Sequence, residues 1–137
     1  MNREAARVEI VAAVQAAAAA WTDYPCLVDY DNKAFVDYAA QVNPYLAIDI
    51  AYIDSTQMDL GLNPIAQAYG NLLLAVCVKE GAGTRKANLL SDYFTAALQF
   101  KRWPVVETQV ARLQPNVYRK GWCCIVTLIP FQHQSQI

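Results

Sequence analysis

Tyr69–Phe100, YGNLLLAVCVKEGAGTRKANLLSDYFTAALQF, is the stretch on which the fold turns. Leu72–Val78 is a nearly unbroken apolar run, too short for an ordinary isolated helix and suited to a strand buried on both sides. Lys79–Thr84 follows as a turn whose glycines, Gly81 and Gly83, can take positive φ. Beyond it the apolar period changes from two to about 3.6. Ala87, Leu90, Phe94, Ala97 and Leu98 then share one face, with Arg85, Lys86, Asn88, Ser91 and Asp92 mostly off it. Thr84 is placed to cap this helix, its hydroxyl accepting from an amide of the first turn. The unit expected is a strand, a glycine turn and an amphipathic helix folding back onto a sheet.

The glycine turn invites comparison with phosphate-binding loops. A Walker-type loop needs two glycines with four residues between them, followed at once by a lysine and a hydroxyl at the helix start. Gly81-x-Gly83-Thr84-Arg85-Lys86 lacks that spacing, and it lacks the third glycine of a dinucleotide fingerprint. A helix N-terminus attracts anions in any case. A structural turn is therefore the preferred reading, and a small anion-binding domain using Gly81–Arg85 is the alternative.

Working outward, the 137 residues are enough for one domain spanning the whole chain, 1–137, with one good core. Hydrophobic residues make up 55% and charged ones 17%, respectively above and below the usual shares. Eight tyrosines and three tryptophans add amphipathic surface of the kind enriched at interfaces, which favours a homo-oligomer. The net charge is −1 with no basic run, which argues against sequence-specific nucleic-acid binding. Ile10–Ala20, interrupted by Gln15, is too short to cross a bilayer. Glu4 and Glu9 among Arg3 and Arg7 favour a mature helix over a signal peptide. Cys26, Cys77, Cys123 and Cys124 form no C-x-x-C pair, so reduced, buried thiols are expected rather than zinc or a disulfide framework.

Asn2–Ala20 reads as a helix with the stripe Ile10, Val14, Ala17 and Trp21, and with Glu4 and Arg7 spaced to pair. Pro25 ends it, and Cys26-Leu27-Val28 opens a short extended segment. Lys33–Asn43 shows no firm period. Tyr45–Ile53 alternates, Leu46, Ile48, Ile50 and Tyr52 against Tyr45, Ala47, Asp49 and Ala51, as a half-buried strand does. Asp54–Ala68 reads as a long loop, its apolar Met58, Leu60, Leu62 and Ile65 suited to order on contact with another surface. After Trp103-Pro104, Val105–Tyr118 contains an extended segment interrupted at Gln114-Pro115-Asn116. Trp122–Phe131 is a further strand, and His133–Ile137 a frayed polar tail. Strands joined without a helix should be antiparallel. The expected class is α+β: a mixed, mostly antiparallel sheet with two helices packed on one face and Tyr, Trp and Asp on the other.

A single histidine, His133, makes Cys–His or Ser–His nucleophilic pairs improbable. Asp29, Asp31 and Asp37, like Asp54 and Asp59, miss the spacing of a calcium loop. No catalytic residue, cofactor or metal is expected, and the chain reads as a non-enzyme.

The pattern resembles the tail terminator proteins of long-tailed bacteriophages, a group of phage minor tail or tail completion proteins. The pieces that carry the likeness begin with the N-terminal helix, Val28-Asp29-Tyr30-Asp31-Asn32 and Asn43-Pro44-Tyr45-Leu46. They continue with Leu60-Gly61-Leu62, Gly70-Asn71-Leu72, Glu80-Gly81-Ala82-Gly83-Thr84-Arg85 with its helix ending at Phe100, and Trp122–Phe131. Lys33–Gln41 matches least. The resemblance implies a ring, typically of six subunits, in the virion tail after assembly in the host bacterial cytoplasm. Such a ring caps the tail tube, stops its polymerisation and presents a surface to the head-side connector. Its partners would be itself, the tail tube protein and that connector, with no membrane. Met58, Asp59, Leu60, Leu62 and Asn63 are the candidate subunit or tail contacts. Another phage head–tail joining protein is the alternative within the class.

Overall fold

In a computed structural model of the chain, residues 3–24, 26–30, 44–57, 65–81, 84–119 and 121–136 are described. The elements run α1 (Arg3–Ala20), β1 (Val28–Asp29), β2 (Tyr45–Gln57), β3 (Ile65–Lys79), α2 (Arg85–Leu98), β4 (Val106–Thr108), β5 (Arg112–Leu113), β6 (Val117–Arg119) and β7 (Trp122–Gln136). The sheet order is β1-β2-β3-β7-β4, with β5 and β6 also paired to β7. This is an α+β fold with a mixed, mostly antiparallel sheet carrying both helices, as expected.

One core sits between the helices and the sheet. Alternation sends Leu46, Ile48 and Ile50 of β2, Leu72, Leu74, Val76 and Val78 of β3, and Ile129 and Phe131 of β7 to the same side. There they meet Ala6, Ile10 and Val14 of α1 and Ala87, Leu90, Phe94 and Leu98 of α2, all fully enclosed. Burying each large side chain of this set contributes roughly 1.5–3 kcal/mol. The alanines of α1 allow close approach, and Tyr93 Oη donates to the Ala17 carbonyl at 2.6 Å, tying the two helices together. Arg7 and Glu4 pair as their spacing requires, Arg7 Nε lying 2.9 Å from Glu4 Oε2.

The central strand corrects one expectation. Leu73 and Ala75, on the side away from the helices, are only half-buried, so β3 is covered on one face. The long loop is also corrected: Asp54 pairs with Tyr69, Ser55 with Ala68, Thr56 with Gln67 and Gln57 with Ala66. The run Asp54-Ser55-Thr56-Gln57 is polar throughout, so no apolar alternation marked the strand in the sequence. The connection shortens to residues 58–64, and Ile65 opens β3. β1 and β2 pair in parallel, Val28 with Leu46, rather than antiparallel. The chain between them is long enough to return to the same end of the sheet, which a parallel pair requires.

β4, β5 and β6 lie successively along one edge of β7, against Phe131–His133, Thr127–Leu128 and Trp122–Cys124. They are one outer strand broken twice, the second time at Gln114-Pro115-Asn116 where proline removes a donor. At the first break the Ala111 N–H donates to Gln99 Oε1 at 3.1 Å. α2 ends at Leu98, two residues short of Phe100, which takes φ 55 in the left-handed region. The Leu98 carbonyl then accepts from the Thr108 hydroxyl at 2.6 Å. Thr84 does not cap through its side chain; its carbonyl accepts from Asn88 N–H at 2.8 Å. Ser91, assigned off the core face, is buried against the sheet with its hydroxyl 3.4 Å from that of Thr127.

Candidate functional site

Met58, Asp59, Leu60, Leu62 and Asn63 lie outside the described residues, as does the Lys33–Gln41 segment. Of the Gly81–Arg85 turn, Gly81 takes φ 84 with nothing within 4 Å of a built Cβ, which is what a glycine turn requires. Arg85 and Lys86 are exposed, and Lys86 Nζ sits 5.8 Å from the Tyr24 ring centre. Among its described residues the turn adds nothing beyond a helix N-terminus that points to an anion.

A cleft of about 310 Å³ opens where β4 leaves the sheet, bordered by Gln67, Arg102, Trp103, Glu107, Gln132 and His133. Its rim is a small hairpin. Trp103 N–H donates to the Val106 carbonyl at 2.8 Å, and Arg102 pairs with Glu107 at 3.1 Å. That ion pair is solvated, so its contribution to stability is small. The hairpin is held from behind by α1: the Glu9 carboxylate accepts from Val105 N–H at 2.9 Å and from Val106 N–H at 3.0 Å. In the sequence Glu9 is only a charge that argues against a signal peptide. No local signal marks it, because its partners are 96 and 97 residues away.

His133 was read as part of a frayed tail. It lies instead in β7, 1% exposed, stacked on Phe131 with ring centres 6.3 Å apart and edge-on to Tyr52 at 6.4 Å. Neither ring nitrogen has a hydrogen-bond partner among the described residues. Burial pushes its pKa down, and the positive charge of Arg3 acts in the same direction. The position was missed because Gln132, Gln134 and Gln136 flank it with polar alternation.

The cysteines also correct the sequence reading. Cys77 and Cys124 form a disulfide, while Cys26 and Cys123 are free. Adjacent Cys123 and Cys124 face opposite sides of β7, and the register, which spacing does not show, sets Cys124 directly across from Cys77. The bridge lies on the helix-free face beside Tyr45 and Trp122, whose rings meet edge-on at 5.1 Å. Cys26 is pushed up to about 11 by burial and is a poor nucleophile at neutral pH. Among the described residues no group of His, Cys, Asp and Glu could hold a metal ion. No helix there is long and apolar enough to cross a membrane.

The helix-free face is ordered in rows across the strands. Asp49 of β2 pairs with Leu73 of β3, Leu73 with Leu128 of β7, and Leu128 with Arg112 of β5. The neighbouring row runs Asp29, Ala47, Ala75 and Val126. An apolar middle is thus flanked by acid at one margin and base at the other.

No family model matches the chain, and no curated protein matches it. One solved structure, of a protein whose name describes no activity, is similar over nearly the whole length. It has a TM-score of 0.71 at 15% identity and covers 98% of this chain and 97% of that one. That likeness establishes the fold and no more.

Proposed function

We propose that this protein is a structural component of a phage tail, a terminator that closes the tail tube as an oligomeric ring and offers the head-side joining surface. The observation that supports the reading best is the one-sided sheet. Both helices cover the same face, and the other keeps an apolar middle with opposite charges at its two margins. A protomer of a ring needs two different surfaces for head-to-tail contact, and a sheet with unlike margins supplies them. The sequence pieces that resemble tail terminators point the same way. The connection between β2 and β3, with Met58, Asp59, Leu60, Leu62 and Asn63, we assign to subunit or tube contact.

Negative-stain microscopy of the purified protein, alone and with tail tubes, tests the proposal. Ring-shaped particles and capped tube ends are expected. Replacing Met58 and Leu60 with serine should leave the circular dichroism spectrum intact while reducing capping. A protein that stays monomeric and leaves tube ends bare overturns the reading.

A further inference from the structure

Six of the exposed large apolar side chains lie at the two margins of the sheet. Val110, Leu113, Val117 and Tyr118 fall within the broken outer strand, with Leu113 86% and Tyr118 68% exposed. At the far margin of the same sheet Leu27 and Ile53 are exposed, Ile53 at 62%. The middle of the helix-free face behaves differently, since Leu73, Ala75, Val126 and Leu128 are half-buried within the monomer. Both edges thus carry apolar surface open to water, as Val8, Leu89 and Phe100 do elsewhere, and at a sheet edge it is a liability unless covered.

The edges also differ in charge. Arg112 on β5 and Asp49 on β2 are both exposed, and neither has an ion-pair partner among the described residues. They end the same row across the sheet, so they sit at matching heights along the strands. Asp29 lies on the acidic margin next to Asp49, on the same face. The outer strand keeps backbone groups for a neighbour as well. Gln114 N–H donates inward to the Val126 carbonyl at 3.0 Å, so strand alternation turns the peptide groups of Leu113 outward. The Leu113 carbonyl is met by the Gln114 side-chain amide at 3.2 Å, a contact that an incoming strand can replace.

We infer that the β5–β6 margin of one copy docks side by side on the β1–β2 margin of a second copy, bringing Arg112 of one against Asp49 of the next. The inference rests on the ring reading and names the surface that builds the ring. The occupant is a second copy because the complementary margin, opposite in charge, equal in height and also carrying exposed apolar groups, is on the chain itself. A face-to-face pair would bury the half-covered middle and leave Leu113, Tyr118 and Ile53 in water. A side-by-side contact covers them. Being heterologous, it repeats around a ring when the rotation closes.

Charge reversal tests it in the full chain. Arg112→Asp and Asp49→Arg each place like charges opposite one another, and each should weaken self-association by about tenfold or more in sedimentation equilibrium. The double reversal should return it to within about threefold of the wild type, as expected of two groups that meet. Arg112→Gln and Asp49→Asn should give smaller losses, and raising the salt concentration should weaken the wild type but not the double neutral variant. Both positions are exposed, so the urea midpoint of each monomer should not move; should a reversal unfold the chain, the neutral variants still decide. Wild-type rings that no variant weakens overturn this surface and leave the terminator reading standing. Reversals that weaken assembly without rescue by the pair show that the two charges do not meet, which also overturns it. A wild type that never associates overturns both.

Discussion

Phe94 shows what a single position does in this core. It is fully enclosed, edge-on to Tyr93 at 5.4 Å, and lies one helical turn from Leu90, which is equally buried. Phe94→Ala should therefore destabilise the fold by about 3–5 kcal/mol in urea unfolding. A loss under about 1 kcal/mol would mean that the cavity collapses at once, which close packing from two layers forbids. His133 makes a pH-dependent contribution. Its folded pKa lies below the ordinary value, so the unfolded chain takes up the proton first. Stability is complete above the unfolded pKa of about 6.5 and falls as the pH drops through and below it. The urea midpoint of the wild type should fall between about pH 7.5 and about pH 5.5, and His133→Phe, which keeps the stacking on Phe131, should flatten that slope. Equal slopes would show that other groups set it.

At the scale of elements, β2, β3 and β7 approach one another closely at one glycine. Gly70 is flanked by Tyr52 and Phe131, at the point where the β2–β3 register shifts between Tyr52 and Asp54. A Cβ there would meet Phe131 Cζ at 2.5 Å and the Ala51 carbonyl oxygen at 2.6 Å. The ring can rotate, but the backbone oxygen belongs to the neighbouring strand and cannot. Gly70→Ala should cost about 1–3 kcal/mol and, if β2 slides to relieve it, disturb the strand beyond the bulge. Amide exchange should then rise at Asp54–Gln57 before it rises at Leu46–Ile50; uniform protection would argue against a register role. The glycine stood at the start of an apolar run in the sequence, and nothing local marked how close its neighbours come.

For the whole molecule, the disulfide gives a simple measurement. Of four cysteines, Cys77 and Cys124 are joined and Cys26 and Cys123 are free. Thiol titration in denaturant without reductant should find two thiols per chain, and four after reduction. A count of four throughout would refute the bridge. The Cys77–Cys124 link spans 47 residues, so its loss through Cys77→Ser with Cys124→Ser should lower stability by about 2–4 kcal/mol on the chain-entropy account. The same link joins β3 to β7, the longest pairing in the sheet.

Local periodicity was enough to determine the two helices, the alternation of β2 and the fold class, because the side-chain repeats of 3.6 and 2 are imposed by backbone geometry alone. That Leu46, Ile48 and Ile50 are the set that meets Ala87, Leu90 and Phe94 came from the packing. Only the tertiary structure decided that Cys124 faces Cys77, that Glu9 receives the Val105 and Val106 amides, and that His133 is enclosed. It also decided that Asp49 and Arg112 end one row. Each of these depends on strand register or helix docking between segments far apart in the chain. Register is chosen by the sum of all pairings across the sheet, a global quantity that no short window contains.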